Sequence, residues 1–485
     1  MDREELLKTN AFYDARKSDW EFYKAAYEGT KALIDWGVLR QFEDDRENFK
    51  ARKKAAFGFN YTRRIINVVA DFLSEVPFLE EYGPLRNDVS WAAFLSDCDL
   101  YGSNWNNFWS HKRRKVSIFG YCGILVDKAI GEFDNREEEV TNNIYPYMAY
   151  YSPLHVLDWK IERDTKTNRP MLSYLKLYDD GGYIRIWTRT HWEAWQLPGT
   201  SESETEPQQV GEGRHNLEEI PFVWFTNGGE HSNITESISD IADIALIDAS
   251  MVRDASNADE IINNAAFPML AMPKEVETEG GDNKEVEVGA SRILDFDPDG
   301  AHPFWLESKV LDSISAIIRI WEKKSDEIYS MANLSALREI AKSKERRSGD
   351  SMKETFRFLN AELVEKVNCE METRLLCIKY WMKWQGMEGQ FNQVTVSHEK
   401  KFNAEKLILT IKDAMDSKSA VDSDLFNREI QKLIAKRILP NLTGEQMTQI
   451  EQEIEEEFKT GRQRQQPEKG QTAGSNNPEE EDTEP

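Results

Sequence analysis

No stretch of this 485-residue sequence supplies the eighteen or more apolar residues that a membrane span needs. The opening Met1-Asp2-Arg3-Glu4-Glu5 is no secretory signal, so an intracellular origin with no membrane partner is expected. Cysteine is sparse. Cys98, Cys122, Cys369 and Cys377 are scattered, and the last two fall in one predicted helix where they cannot bridge each other, so reduced thiols are expected. The seven histidines are dispersed, with no C-x-x-C or H-E-x-x-H to hold zinc. Also missing are G-x-x-x-x-G-K-[ST], G-x-G-x-x-G and G-x-S-x-G, the signals of ATPases, dinucleotide enzymes and hydrolases. Nothing nominates a catalytic residue, so the chain is read as a non-enzyme without metal or cofactor. Positive charge is in deficit: 61 Lys and Arg against 87 Asp and Glu give −26, which repels nucleic acid overall and leaves room only for local DNA contact.

What the chain does have is apolar and aromatic side chains (40% and 11%, with 14 Trp), enough for large cores or interfaces. Its length is that of several domains. The centre of the pattern is a pair of long helices with an insert. From an expected N-cap at Asn233, with Glu236 three residues on, Ile234, Ile238, Ile241, Ala245, Ala249, Val252, Ala255 and Ile262 recur at steps of three and four, apart from one polar position at Asp259. This predicts one apolar stripe on a rod of roughly 50 Å. Its other faces carry Glu236, Asp240, Asp243, Asp254 and Glu260, expected to face solvent or whatever passes the rod. Pro268 and Pro273 end it. A return helix from about Ser308 repeats the stripe with Val310, Ile314, Ile317, Trp321 and Ile328. Between the rods, short strands are predicted at Met269 to Met272, Glu285 to Val288 and Arg292 to Phe296.

The turn Asp295-Phe296-Asp297-Pro298-Asp299-Gly300 matches the first half of a calcium loop, but the twelfth position is Leu306 and Pro303 interrupts, so a plain acidic turn is expected. Beyond the second rod lies the densest cationic stretch, Arg338 to Arg347. Another long helix follows, with a capping box at Ser351 and Glu354, Met352, Phe356, Leu359, Leu363, Val367, Met371, Leu375, Ile378 and Met382 at helical spacing, and a Gly386 cap.

The flanks are simpler. Residues 1–57 read as helical, and Asn60 opens a helix with Ile65, Val69, Phe72 and Val76 in one row, Ile66 and Leu73 in a second, ending at Pro77. Two more helices are predicted from Trp91 to Phe119. The run His111-Lys112-Arg113-Arg114-Lys115 on the second is read as a solvated face or an intersubunit salt-bridge surface in preference to a DNA contact. From Tyr121 to Phe225 short β-branched and aromatic runs predict a mainly antiparallel β region, with Asp179-Asp180-Gly181-Gly182 as a hairpin turn and Leu197 to Gly213 as a flexible loop. Gln393 to Ser397 is expected to return as a strand to that sheet, followed by three helices and an acidic tail that has no apolar side chain larger than alanine, proline aside, beyond Lys459. The fold class is α+β, mainly helical.

Several segments, in this order, resemble the portal proteins of tailed bacteriophages: Tyr61-Thr62-Arg63-Arg64-Ile65-Ile66-Asn67-Val68-Val69 leading to Pro77; Phe119-Gly120-Tyr121-Cys122-Gly123; Tyr151-Ser152-Pro153 with Val156 and Trp159; and Ile220-Pro221-Phe222-Val223-Trp224-Phe225. Ser237, Asp240 and Asp248, the β insert, the returning helix, the loop and the long helix follow, so that the similarity extends to about residue 440.

The resemblance implies a dodecameric ring at one capsid vertex, through which double-stranded DNA is packaged and later ejected. After an N-terminal helical segment, 1–57, it divides the chain into a wing (58–231, with the long helix and strand at 351–402), stem helices at 232–267 and 307–332, a clip at 268–306, a tunnel loop at 333–350 and a crown at 403–460, before the tail at 461–485. Expected partners are the terminase large subunit, a head-completion adaptor at the clip, and major capsid and scaffold proteins at the wing, in a particle assembled in the bacterial cytoplasm. On this reading Arg338, Lys342, Lys344, Arg346 and Arg347 line the DNA tunnel, and Ile238, Ile241, Ala245, Ile314, Ile317 and Trp321 pack the stem. Glu275, Glu285, Asp295, Asp297 and Asp299 are the acids of the clip. The rivals are a non-ring structural or scaffold protein of a virion and a carboxylate-based metal hydrolase. The acidic-turn reading is checked by isothermal titration with calcium, which is expected to show no saturable binding that is lost on Asp297→Asn.

Overall fold

The computed structural model describes residues 2–41, 46–129, 136–165, 167–197, 206–229, 234–265, 269–273, 294–296, 304–306, 310–335, 357–400, 402, 450 and 452–454. It is an α+β protein of two compact units, Met1–Phe402 and Asn403–Pro485, and almost all described residues belong to the first. The predicted crown helices and acidic tail lie outside the described residues, apart from a few near 450.

The N-terminal segment forms α1 (Arg3–Leu7), α2 (Ala11–Glu28), α3 (Thr30–Trp36) and α4 (Arg46–Ala55). It is stitched into the body. Lys176 donates from Nζ to the carbonyls of Glu5 (2.9 Å) and Lys8 (3.0 Å), which satisfies orphan acceptors at the end of α1. Trp20 is buried and meets Tyr13, Phe12 and Tyr121 edge to face or tilted.

Next come α5 (Tyr61–Glu75), β1 (Leu79–Glu81), α6 (Val89–Ser96) and α7 (Trp105–Phe119). Asn60 caps α5 by accepting from the Arg63 amide at 2.7 Å. The buried stripe of α5 is Ile65, Ile66, Val69, Ala70 and Leu73, the predicted rows merged into one face, with Phe72 and Val76 at its margin.

After α7 the period changes from helical to alternating. Strand β2 (Tyr121–Asp127) lies between β3 (Tyr147–Tyr151) and β9 (Phe222–Thr226), both antiparallel to it, while the short α8 (Arg136–Thr141) lies between β2 and β3 in the chain. Every residue of β2 and β9 is buried. A five-stranded antiparallel meander runs in order β4 (Val156–Arg163), β5 (Pro170–Asp179), β6 (Tyr183–Thr188), β7 (His191–Gln196) and β8 (Gln208–Arg214). Gly181 and Gly182 both have positive φ in the β5–β6 turn, the conformation glycine accepts without penalty.

Two expectations are corrected here. Part of the predicted 197–213 loop is β8, whose Gly211 and Gly213 lie under the Trp192 ring of β7, where added Cβ atoms would come within 3.2 and 2.6 Å of it. Absent side chains hide this strand from any alternation test. The strand at the chain's return, β13 (Thr395–Ser397), pairs antiparallel with β1 and not with the main sheet. Its partner follows Pro77 with Leu79 exposed, so no apolar pattern advertised it.

Three long helices complete the unit: α9 (Ile244–Ala265), α10 (Val310–Met331) and α11 (Arg357–Trp384). Between α9 and α10, β10 (Met269–Pro273) pairs parallel with β11 (Leu294–Phe296) and antiparallel with β12 (Phe304–Leu306). The strand predicted at 285–288 lies outside the described residues, as does the capping box of α11, whereas Gly386 takes the left-handed conformation just beyond the end of α11.

The core lies where α6, α7 and α11 pack on the β3–β2–β9 sheet, around Trp91, Trp105, Trp109 and Trp381. The Trp91 and Trp381 rings meet edge to face at 4.9 Å, a favoured aromatic geometry. All four cysteines are free and buried. Among the described residues no helix is long and apolar enough to cross a membrane. Density of packing is sharpest at Gly123, where a Cβ would stand 2.0 Å from the Phe222 ring. Gly123→Ala is therefore expected to cost about 1–3 kcal/mol of overpacking, read as a lowered denaturation midpoint at unchanged m-value.

Candidate functional site

The paired rods begin later than the sequence predicts. Residues 234–236 form a single 3-10 turn, and the α-helix opens only at Ile244. The reason is tertiary. Ser239 donates its hydroxyl to the Ile118 carbonyl at 2.6 Å, the Asp240 amide donates to the Ser117 carbonyl at 3.0 Å, and Ser237 donates to the Gly120 carbonyl at 2.5 Å. Residues 237–240 thus cap the carbonyl end of α7, and their side chains and amides are no longer free to continue a helix. Gly120, at φ +88°, lets the two backbones approach; a Cβ there would come within 3.0 Å of the 237–239 backbone.

Of the residues predicted to pack the stem, Ile241 and Ala245 are fully buried, in line with Ala249, Val252 and Ala255. Ile238 precedes the helix and is 67% exposed, so it does not share their row. Ile314, Ile317 and Trp321 lie along α10, half-buried, on a helix that packs against α9. The pairing is closed by Lys324 and Asp254, 2.5 Å apart. Asp254 therefore faces the partner helix, not solvent, and Asp240 is likewise engaged. Farther along α10, the rings of Phe59 and Tyr61 meet Trp321 and Tyr329.

Sequence reasoning missed what holds α9 to the body. Asp248, buried in α9, accepts from both the amide (3.0 Å) and the hydroxyl (2.7 Å) of Thr62 at the start of α5. Burial raises its pKa even though those bonds oppose the shift. Arg52 of α4 donates to Ser256 (2.9 Å) and Asn257 (2.5 Å) of α9. A buried position for Asp248 is readable in hindsight from its place one step before Ala249 in the apolar row.

A second node joins the rods to α11. Lys366 donates to Asn227 and Asp240, both at 2.6 Å, and Asn227 also donates to Asp240. Asn333, left-handed at the end of α10, donates to Glu362 at 3.2 Å. Burial raises the Glu362 pKa, with Lys366 opposing. The contact between Asn333 and Glu362 brings together the two sides of the connection between α10 and α11. Arg338, Lys342, Lys344, Arg346 and Arg347 all fall within that connection and lie outside the described residues. So do Glu275, Glu285, Asp297 and Asp299; Asp295 is in β11.

The run 111–115 is corrected at its centre. Arg113 is buried and makes a two-pronged pair with Glu370, which also binds Arg374 at 2.7 Å; Arg374 in turn reaches Glu80 at 2.7 Å. The Arg374 guanidinium lies over Phe78, 4.1 Å from its centroid. Lys112 is half-buried between Phe108 and Tyr150. Only a helical phase angle distinguishes these inward positions from the exposed His111 and Lys115. Among the described residues no cluster of three or more metal-ligating side chains occurs.

Breaking the buried pair with Arg113→Met is expected to cost about 3–5 kcal/mol, because Glu370 would keep a desolvated charge facing Arg374 alone. Burial pushes the Glu370 pKa up, but Arg113 and Arg374 outweigh it and hold the carboxyl below its usual value. With the folded pKa depressed, the stabilisation is fully present above the unfolded carboxylate range and is lost as pH falls through the folded value. Glu370→Gln should accordingly flatten the acid limb of a stability-against-pH curve.

No protein-family model matches this chain, and no curated protein does. Among solved structures, similar chains occur in the neck of an empty GTA particle computed with C6 symmetry (10% identity, TM-score 0.41, covering 80% of this chain and 94% of that one) and in the virion of a native gene transfer agent particle (10%, 0.39, 85% and 98%). Another occurs in the neck of a native GTA particle computed with C12 symmetry, at 9% identity and TM-score 0.39, covering 83% of this chain and 97% of that one.

Proposed function

We propose that this chain is a phage portal protein, a structural and non-enzymatic subunit that closes into a dodecameric ring at one vertex of a virion and forms the channel for DNA entry and exit. The observation that carries the proposal is the geometry of α9 and α10. They pair side by side, carry a three-stranded sheet between them in the chain, and lead through Asn333 into a connection whose sides are drawn together by the bond to Glu362. A clip, a stem and a tunnel loop need these three features in this order.

A ring also needs surface to close it, and the stem offers some. Leu246 and Ile262 of α9 and Ile318 and Ile320 of α10 are about half or more exposed, on helices that already pair with each other. A neighbouring subunit laid against them would remove that apolar area from water, and closure would leave no edge for further growth. The acidic chain repels phosphate, so DNA slides; the cations of 338–347, repeated around the ring, supply brief, sequence-blind contacts. Terminase and adaptor would dock at the clip, and coat and scaffold proteins at the wing.

Three substitutions separate folding from assembly. Ile241→Asp puts a charge at a fully buried position and should unfold the subunit by several kcal/mol. Ile318→Asp, at a half-exposed position, should leave the subunit's secondary structure intact but stop ring closure in mass photometry and microscopy. Changing Lys342, Lys344, Arg346 and Arg347 together to Gln should spare the ring and reduce DNA packaging regardless of DNA sequence, with any contact measured in vitro weakening as salt rises. Monomers or dimers only, from the unaltered chain at micromolar concentration, would overturn the proposal.

A further inference from the structure

The three-stranded sheet ends in β3 on one side and in β9 on the other, with β2 between them. Beside β3, residues 97–103 form a turn that is fixed from several directions. Asp97 accepts the Gly102 amide at 2.9 Å, Asp99 accepts the amides of Tyr101 (3.0 Å) and Ser103 (3.2 Å), and the Cys98 amide donates to the Ser103 carbonyl at 2.9 Å. The Met148 amide donates to the Cys98 carbonyl at 2.7 Å and so ties the turn to β3. This turn holds Tyr101 out with 94% of its surface exposed, whereas the next most exposed large apolar side chain among the described residues, Phe358, shows 71%. An aromatic ring on a pre-ordered turn loses little freedom on docking, which suits it to anchor a contact.

Beside β9 lies a hollow of matching kind. A cavity of about 160 Å³ is walled by Ile161, Met171, Leu172, Ile220, Phe222 and Trp224. A cavity of roughly 150 Å³ with aliphatic and aromatic walls takes one benzene ring, while sites for drug-sized ligands run to roughly 300–1,000 Å³. This one is the size of a single aromatic side chain. Its mouth is apolar as well, since Ile161 is 43% exposed. The polar part of its wall is Glu219 with Tyr380. Lys383 (2.7 Å) and Lys379 (3.5 Å) both bind Oε1 of Glu219, while Oε2 takes only the Tyr380 hydroxyl at a long 3.4 Å. A carboxylate oxygen has two acceptor sites, so Oε2 has room for a better placed donor. Apolar walls with one spare acceptor match a tyrosine, which brings a ring and a hydroxyl donor together.

In one chain the two do not meet, because Tyr101 is exposed beside β3 and the cavity flanks β9. Two copies can meet head to tail. We infer that Tyr101 of one copy seats in the β9 cavity of the next, its ring among Leu172, Phe222 and Trp224 and its hydroxyl on Glu219. A contact between two different patches of the same chain is heterologous, and it repeats into a ring when the rotation from copy to copy closes. The inference rests on the ring proposed above and adds to it a contact outside α9 and α10.

The test is mass photometry over a concentration series on the full chain, Tyr101→Ala, Tyr101→Phe, Ile161→Asp, and a 1:1 mixture of Tyr101→Ala with Ile161→Asp. Tyr101→Ala and Ile161→Asp are each expected to raise the concentration for half-assembly at least tenfold with an unchanged circular dichroism spectrum, and Tyr101→Phe, which keeps the ring and drops the donor, several-fold. The mixture retains one tyrosine and one cavity that fit, so it should form a one-to-one dimer at concentrations where neither variant associates alone. Rings that form as readily with Tyr101→Ala as with the unaltered chain would overturn this contact and leave the ring standing. Unaltered dimers that vanish with Tyr101→Ala would keep the contact and remove the ring. Unaltered monomers only would overturn both, and a mixture without the one-to-one dimer would overturn the head-to-tail pairing. Tyr101→Ala, at an exposed position, decides the contact even where Ile161→Asp disturbs β4.

Discussion

The structure hangs on a line of charge threaded through the buried face of α11. Lys366, Glu370 and Arg374 recur every four residues, one turn apart, and all three are inside the protein. Each is tolerable there only because it has a fixed partner: Lys366 takes Asp240 and Asn227, Glu370 takes Arg113, and Arg374 takes Glu80. Desolvated charges left unpaired cost several kcal/mol apiece, so sliding α11 by one turn, or rotating it, would break every pair together. Hydrophobic contacts alone would permit several nearly equivalent registers. The charges select one, and through it they set α7, β1 and the turn before α9.

That constraint explains which parts of the fold were legible in sequence. Periodicity located α5, α9, α10 and α11, because each helix buries one face and repeats its apolar residues accordingly, while the β region from Tyr121 to Phe225 showed in its β-branched and aromatic runs, β2 being buried on both faces. It failed where the burial is polar. Arg113 sits in a run of five basic or histidine residues that looks like a solvated face, and its position is decided by Glu370, 257 residues away. Ser237, Ser239 and Asp240 lie in a stretch with good helical spacing, yet they serve the end of α7. Ile238 followed them out of the helix and onto the surface, which is why it left the predicted stem row.

The N-terminal helices show the same division. Residues 1–57 read in sequence only as helical, and the structure adds Trp20 in an aromatic cluster and Arg52 bonded to α9. Those helices form the bed on which α9 lies, while Asp248 pins it by occupying the N-terminal amides of α5. A carboxylate at a helix N-terminus gains from the exposed amides and the helix dipole. Its burial still raises its pKa, so the arrangement trades electrostatic ease for a fixed crossing of two helices. The cations of the 338–347 stretch had no such local clue to their placement beyond charge itself.

These constraints together fix the base of the connection between α10 and α11. Asn333 ends α10 in the left-handed conformation that asparagine accepts more readily than most residues, and its amide reaches Glu362 on the second turn of α11. Glu362 lies 3.6 Å from Lys366, which already binds the turn leading into α9. The start of one rod, the end of the other and the long helix therefore share a single polar network in a dry setting, where hydrogen bonds to charged groups are strong and costly to leave unmade.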